Sequence, residues 1–259
     1  MKSEEQVLKK PSVLICGYGI VGKHLKETFE WADIYDKYNP DHSEVKNGYD
    51  FCFISVPTPK KENGEADISQ VINVLETVEA KLYIIKSTVP PGTTKDLITK
   101  CNKNIIFSPE YQGDTQHANI SYNFVILGGE RALTSKVAQL YQYVYTGDLR
   151  IFQTDTITAE LCKYMVNSFL ACKVTFCNEF YRIAKQVGVD YSELRELFVL
   201  DPRIGRSHTF VYEDYPFYDS KCFNKDLPAI ASEMDKRGYD ASFVKAIIET
   251  NDKFKEVTE

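Results

Sequence analysis

The sequence predicts an α/β protein: a mainly parallel β-sheet covered by helices, followed by a helical part built on one long helix. Three observations carry that expectation. Short apolar runs alternate with helical stretches over residues 1–150. Those runs are almost continuously apolar, the pattern of strands buried on both faces. After Ile151-Phe152 the alternation stops, and residues 156–187 contain no proline before Gly188 offers a stop. The expected division is therefore a sheet domain over 1–150 and a helical domain over 151–259.

In chain order, Val13-Leu14-Ile15-Cys16 is the first strand, 20–30 a helix and Asp33-Ile34-Tyr35 the second strand. Residues 51–55, 82–85, 104–107 and 124–127 form further strands. Helical periodicity falls near 67–79, 92–101 and 131–143. The stretch 156–187 makes a helix of roughly 45 Å at 1.5 Å per residue. A helix over 190–199 follows, with Asp190 near its cap and Glu193 three residues on. Residues 201–224 are loop-rich and aromatic, and helices near 226–237 and 241–256 close the chain.

Composition narrows the function. The 259 residues suffice for one large core or two modest ones. A net charge of -6 makes a broad nucleic-acid or anionic-membrane surface a poor starting point. No apolar run is long enough to span a bilayer. The start, Met1-Lys2-Ser3-Glu4-Glu5-Gln6, lacks the apolar core of a signal peptide, so a cytoplasmic location is expected. Seven cysteines without C-x-x-C spacing, beside four histidines, give no expectation of a metal site. Most sit in apolar patterns, where a thiol packs as a small hydrophobe.

Gly17-Tyr18-Gly19-Ile20-Val21-Gly22 follows a strand and opens a helix. The first glycine permits a tight turn, the second a close approach of the backbone to a pyrophosphate, and the third close helix-to-strand packing. The helix N-terminus then faces the phosphates. This is the fingerprint of a Rossmann-like dinucleotide site. Asp36 stands at the end of the second strand, where a carboxylate accepts hydrogen bonds from the ribose hydroxyls and repels a 2′-phosphate; the cofactor expected is NAD rather than NADP. Lys37 softens that preference, and the bland alternative makes Asp36 a turn residue before Asn39-Pro40.

Further strings carry a resemblance. They are Val56-Pro57-Thr58-Pro59, Lys86-Ser87-Thr88-Val89-Pro90-Pro91-Gly92-Thr93-Thr94, Ser108-Pro109-Glu110-Tyr111, the stretch from Ala159-Glu160 through Lys163 and Asn167 to Ala171, Asp201-Pro202-Arg203-Ile204-Gly205, and Cys222-Phe223-Asn224-Lys225-Asp226. In this order they resemble the UDP-glucose/UDP-mannose dehydrogenase family, from about residue 11 to about residue 256. The resemblance implies oxidation of a primary alcohol, C6 of a nucleotide-bound hexose, to a carboxylate with NAD. Cys222 matches the family's nucleophile, which holds the carbon as a thiohemiacetal and then a thioester. Lys163 matches the lysine that stabilises the oxyanion, and Asn167 lies four residues on along the same helical face. Asp226 matches a carboxylate assisting proton transfer. Glu110 and Thr88 match residues that position water and the reacting carbon. The cofactor contacts implied are the fingerprint residues with Asp36, Val56, Pro57, Thr58, Ser87, Thr88, Asp114 and Lys225. The substrate contacts implied are Glu110, Tyr111, Lys163, Asn167 and Arg203, the last reaching a neighbouring subunit's site. Taken singly, each has a bland reading: Lys163 a solvated helix lysine, Asn167 a helix–helix hydrogen-bonder, Arg203 a surface ion-pair partner, Cys222 a buried thiol.

Three departures from the family pattern stand out. A Gly-Gly pair is expected before Ser-Cys, whereas the chain has Asp219-Ser220-Lys221-Cys222, and Asn224 replaces a proline. The connection after Asn39-Pro40 is short, so one strand and its helix are expected to be missing. The C-terminal UDP-binding domain of the family is expected to be absent. Leu161, Phe169, Phe176, Phe180 and Ile183 give the long helix a large apolar stripe, which predicts a homodimer through 156–187. The alternatives are a weakly active or inactive NAD-binding partner of a longer homologue, and a dehydrogenase for a smaller alcohol.

Overall fold

The computed structural model describes residues 10–44, 48–111, 123–145 and 147–258. The first part of the chain forms one seven-stranded sheet, from β1 (Val13–Cys16), β2 (Asp33–Tyr35), β3 (Tyr49–Ile54), β4 (Ala80–Ile85), β5 (Ile105–Phe107), β6 (Phe124–Gly128) and β7 (Arg150–Thr154). The strands lie in the order β2-β1-β3-β4-β5-β6-β7. Among the described residues, only the β5–β6 pairing of this sheet is antiparallel. The order reverses between β1 and β3, so the crevice beyond their carboxyl ends is where a ligand binds in such sheets.

Helices α1 (Ile20–Thr28), α2 (Ser69–Thr77), α3 (Thr93–Cys101) and α4 (Arg131–Val144) cover the sheet. Alternate residues of each strand point to opposite faces. Leu14, Cys52, Ile54, Tyr83 and Ile85 meet Val71, Val74, Leu75 and Leu97 of α2 and α3 on one face. Val13, Ile15, Phe53, Leu82 and Ile84 meet Leu25, Phe29, Val137 and Tyr141 on the other. With both faces dry, polar residues are excluded from the central strands, hence their continuous apolar runs. Each such side chain contributes about 1.5–3 kcal/mol by leaving water.

The sheet runs on past residue 150. β7 pairs in parallel with β6, from Phe124↔Arg150 to Gly128↔Thr154. It escapes sequence reading because it is an edge strand with Phe152 more than half exposed, so it carries no apolar run. Between β2 and β3 the described residues form only the 3₁₀ turn Pro40–His42.

The chain divides into two compact units, Met1–Thr58 with Asp67–Leu161, and Pro59–Ala66 with Cys162–Glu259. By contacts, the two units part inside helix α5 (Thr156–Val187). The second unit adds α6 (Tyr191–Phe198), α7 (Phe223–Lys236) and α8 (Ser242–Glu256). α6 begins as its sequence predicts, with the Asp190 side chain accepting from the Ser192 N–H. α7 begins three residues before the expected start. The Ser220 hydroxyl accepts from the N–H groups of Cys222 and Phe223, at 3.2 and 3.3 Å, and so starts the helix early. Tyr164 packs with Ala229 and Ile230, and Ala171 with Phe223, Leu227 and Ile247, so one face of α5 is buried. The opposite stripe is exposed, with Met165 at 73% and Phe169 at 62%.

Residues 59–66 form a small hairpin. Lys60 bridges Ala66, and the Lys61 N–H donates to the Glu65 carbonyl at 2.8 Å. Gly64 lies against Pro228 and Ser232, and Glu65 pairs with Lys236 at 2.6 Å. Those three α7 residues are four apart, on one helix face.

Candidate functional site

The first unit opens a cleft of about 660 Å³ at the β1–β3 crevice, lined by Gly17, Tyr18, Gly19, Asp36, Val56 and Pro57 among others. Gly17 has φ +92° and donates to the Tyr35 carbonyl at 2.8 Å; a Cβ there would lie 2.7 Å from the Ser55 oxygen. A Cβ on Gly22 would lie 2.0 Å from the Gly17 oxygen, so the turn and the helix meet only because both are glycine. Gly19 meets nothing within 4 Å and leaves the cradle open. Asp36 accepts from the Tyr18 and Tyr38 N–H groups at 2.8 and 2.9 Å. A carboxylate has about four acceptor positions, which leaves room for ribose hydroxyls. These residues fit a dinucleotide.

Other expected contacts serve the frame of the cleft. The Ser87 hydroxyl donates to the Val56 carbonyl at 2.6 Å and the Thr58 hydroxyl to the Thr88 carbonyl at 2.8 Å. The Val21 side chain packs against the core, while Ile20 is exposed. Asp114 lies outside the described residues. Sequence reasoning missed Ser69, Gln70 and Asn73, which line the cleft from α2. Their signal was present: they are the polar face of a helix that buries Val71, Val74 and Leu75.

Beyond β5, Glu110 forms an ion pair with buried Lys86 at 3.2 Å. The Glu110 side chain also accepts from the Tyr111 N–H at 2.9 Å, and the Tyr111 ring lies 5.2 Å from that of Phe124. Also missed was Glu160, which is fully buried and accepts from the Gly92 and Thr94 N–H groups at 2.6 and 2.8 Å. Its carboxylate caps α3, the helix that begins at Thr93 inside the Lys86–Thr94 string. Burial pushes its pKa up, against the pull of those hydrogen bonds.

The second unit gathers five expected residues. Cys222 is the N-cap of α7 and the one exposed cysteine of the seven. The Asp226 N–H donates to the Cys222 carbonyl at 2.8 Å, one turn on. Asp226 is 2% exposed. Its Oδ2 accepts from Asn167 Nδ2 at 2.5 Å, and its Oδ1 faces Lys225 Nζ at 2.5 Å. Lys163 Nζ donates to Asn167 Oδ1 at 3.4 Å. Lys163, Asn167, Asp226 and Lys225 thus form one hydrogen-bonded chain. Lys225, expected at the cofactor, is engaged with Asp226. Arg203 stays out of this chain: it is 87% exposed along its side chain and held by Asp201 at 2.6 Å. At the Asp219-Ser220-Lys221 departure, Asp219 accepts from Asn224 at 2.7 Å, Ser220 caps the helix and Lys221 is exposed.

Two domains of one family match the chain. Residues 20–145 match the NAD binding domain, and residues 157–253 the central domain, of the UDP-glucose/GDP-mannose dehydrogenase family; the mannose nucleotide in that name is GDP-mannose, not the UDP-mannose of the sequence reading. The UDP-glucose 6-dehydrogenase of Rickettsia prowazekii (strain Madrid E) is 28% identical over 228 residues, 83% of this chain and 52% of that protein. The UDP-glucose 6-dehydrogenase TuaD of Bacillus subtilis (strain 168) is 31% identical over 220 residues, 79% of this chain and 46% of that one. The chain spans about half the length of the curated relatives it matches. A UDP-glucose dehydrogenase structure from Pyrobaculum islandicum shares the fold, with a TM-score of 0.80 at 24% identity, covering 96% of this chain and 69% of that one. With both domains matched in order and the sheet architecture in common, the protein belongs to the UDP-glucose/GDP-mannose dehydrogenase family, and residues 20–145 are its NAD-binding domain.

Proposed function

We propose that the chain oxidises the C6 alcohol of a nucleoside-diphosphate hexose to the carboxylate with NAD, holding the carbon on Cys222. The observation that carries this reading is the chain Lys163–Asn167–Asp226 ending one helical turn from an exposed thiol. NAD supplies the hydride acceptor for both oxidations. In the first oxidation C6 gives its hydride to NAD and its hydroxyl gives its proton to the medium; the Cys222 thiol then loses its proton to the medium and its sulfur bonds to the aldehyde carbon. The oxygen of that adduct carries developing negative charge, which the Lys163 ammonium and the Asn167 amide stabilise. A second hydride loss leaves a thioester; water adds to its carbonyl, and the departing sulfur takes a proton. The α7 N-terminus does not serve as the oxyanion site in this scheme, because Ser220 already accepts from its first N–H groups. Asp226, buried between an amide and an ammonium, holds Asn167 with its carbonyl towards Lys163.

The exposed stripe on α5 supports a homodimer through residues 156–187, with Arg203 offered to the partner's substrate. A second reading, an NAD-binding protein with little turnover, is favoured by Asp219 and Lys221, which place charged side chains close in sequence to the nucleophile where the family pattern has a glycine and a serine. NADH formation with UDP-glucose, compared between the wild type and Cys222→Ala, separates the two. Sugar acid made only by the wild type supports the enzyme. NAD binding by calorimetry without NADH formation supports the second reading.

A further inference from the structure

Lys86 follows β4 directly, and its side chain is 4% exposed. Its ammonium lies 3.2 Å from Glu110 Oε2, and 3.4 Å from both the Ser108 hydroxyl and the Pro109 carbonyl oxygen. The Tyr141 hydroxyl, from α4, favours the charged form of the amine as well. Three successive residues after β5 therefore present oxygen to one buried cation. Burial alone works against that charge, but Glu110 and Tyr141 more than offset it and hold the pKa above the ordinary lysine value. The ammonium is thus a permanent charge at neutral pH. The next residue, Ser87, bonds to the Val56 carbonyl at the rim of the cofactor cleft. One dipeptide consequently ties both the cleft rim and the turn that carries Glu110.

We propose that Lys86 is the positioning residue for Glu110, its buried ammonium fixing the rotamer and the anionic state of that carboxylate. This rests on the reading of Glu110 as the group that holds water at the reacting carbon. In the hydrolytic step the water oxygen bonds to the thioester carbonyl carbon. The Glu110 carboxylate takes the proton that water loses, and the departing sulfur takes a proton from the medium. That role needs an anion aimed in one direction, and a buried ammonium supplies both conditions. A lysine that merely filled the core would leave the state of Glu110 unaffected.

The test uses the full chain with Lys86→Met, Glu110→Gln and the double variant. Steady-state rates with UDP-glucose and NAD are read alongside labelling of Glu110 by a water-soluble carbodiimide and an amine, followed by peptide mass. Lys86→Met should lower kcat by at least about tenfold while KM for NAD moves less than about twofold. The double variant should be no slower than Glu110→Gln, since Lys86 acts through Glu110. Labelling of Glu110 near neutral pH should rise by about tenfold or more, because a carboxylate released from its cation is protonated more often. Additive kcat losses in the double variant, or unchanged labelling, overturn the proposal. Lys86→Gln keeps a donor for Ser108 and Pro109, and decides on both readings if Lys86→Met does not fold. If the wild type makes no NADH from UDP-glucose, the dehydrogenase reading fails, and the labelling alone still decides whether Lys86 holds Glu110.

Discussion

Asn167 faces two ways. Its amide nitrogen donates to Asp226, and that fixes its carbonyl towards Lys163. Asn167→Leu would leave the buried Asp226 carboxylate short of a donor, and should cost about 1–3 kcal/mol in urea unfolding. At Cys222 the chemistry itself is at stake. In Cys222→Ser the hydroxyl stays protonated at neutral pH and nucleophilic attack is far slower. The variant should stop near the aldehyde level, giving about one NADH per sugar rather than two; an undiminished yield of sugar acid would remove Cys222 from the scheme. Asp36 accepts two backbone N–H groups and is therefore already aimed before a ribose arrives. Asp36→Ala should weaken NAD about tenfold or more by calorimetry and narrow its lead over NADP. The site residues were legible as types in order; the partners of each were not. That Lys86 meets Glu110 follows from β4 and β5 being parallel neighbours, so that residues just past their carboxyl ends lie side by side. No local string states that adjacency.

Elements are joined at two close approaches near the start of α5. Gly128 ends β6, and a Cβ there would lie 2.5 Å from the Ala159 Cβ and 2.8 Å from the Asp155 carbonyl oxygen. Backbone must move to admit it, so Gly128→Ala should lower stability by about 1–3 kcal/mol with an unchanged denaturant slope. Asp155 caps the helix: its carboxylate accepts from the Thr158 hydroxyl at 2.6 Å and the Thr158 N–H at 2.9 Å. Those two bonds, the hydroxyl first, hold its pKa below the ordinary value. A carboxylate depressed by folding adds stability above its unfolded pKa and loses it as pH falls through the folded one. Asp155→Ala should therefore cost about 0.5–1 kcal/mol at pH 6, and the gap to wild type should close below about pH 4. Urea midpoints at the two pH values check the sign. The same physics explains which elements the sequence hides. Central strands are dry on both faces and show as apolar runs. The edge strand β7, with Phe152 exposed, does not. The early start of α7 is hidden because its cap is the Ser220 side chain, two residues before the N-cap itself.

For the whole molecule, the question is what covers α5. Its inner face, at Tyr164, Asn167, Ala171, Thr175 and Asn178, is buried, while Leu161, Met165, Phe169, Phe176, Phe180 and Ile183 are exposed. An apolar stripe of this length predicts a dimer with more than roughly 2,000 Å² buried in total. Light scattering at micromolar concentration should give twice the chain mass; a monomer would remove both the dimer and the shared-site role of Arg203. Phe169→Glu should shift the equilibrium towards monomer, since it places a charge in the centre of the stripe.

The hairpin 59–66 has a consequence for the order in which the chain emerges from the ribosome. Its docking face on α7 is synthesised about 160 residues later, which at 5–20 residues per second is roughly 8–30 s. Through that interval the segment stands in water without its partner. Pro59-Lys60-Lys61-Glu62-Asn63-Gly64-Glu65 is polar enough to wait there without sticking to other nascent chains. When α7 arrives, the Glu65–Lys236 pair and the Gly64 contact fasten it. The chain crosses from one unit to the other three times, so no single cut in the gene releases either of them whole.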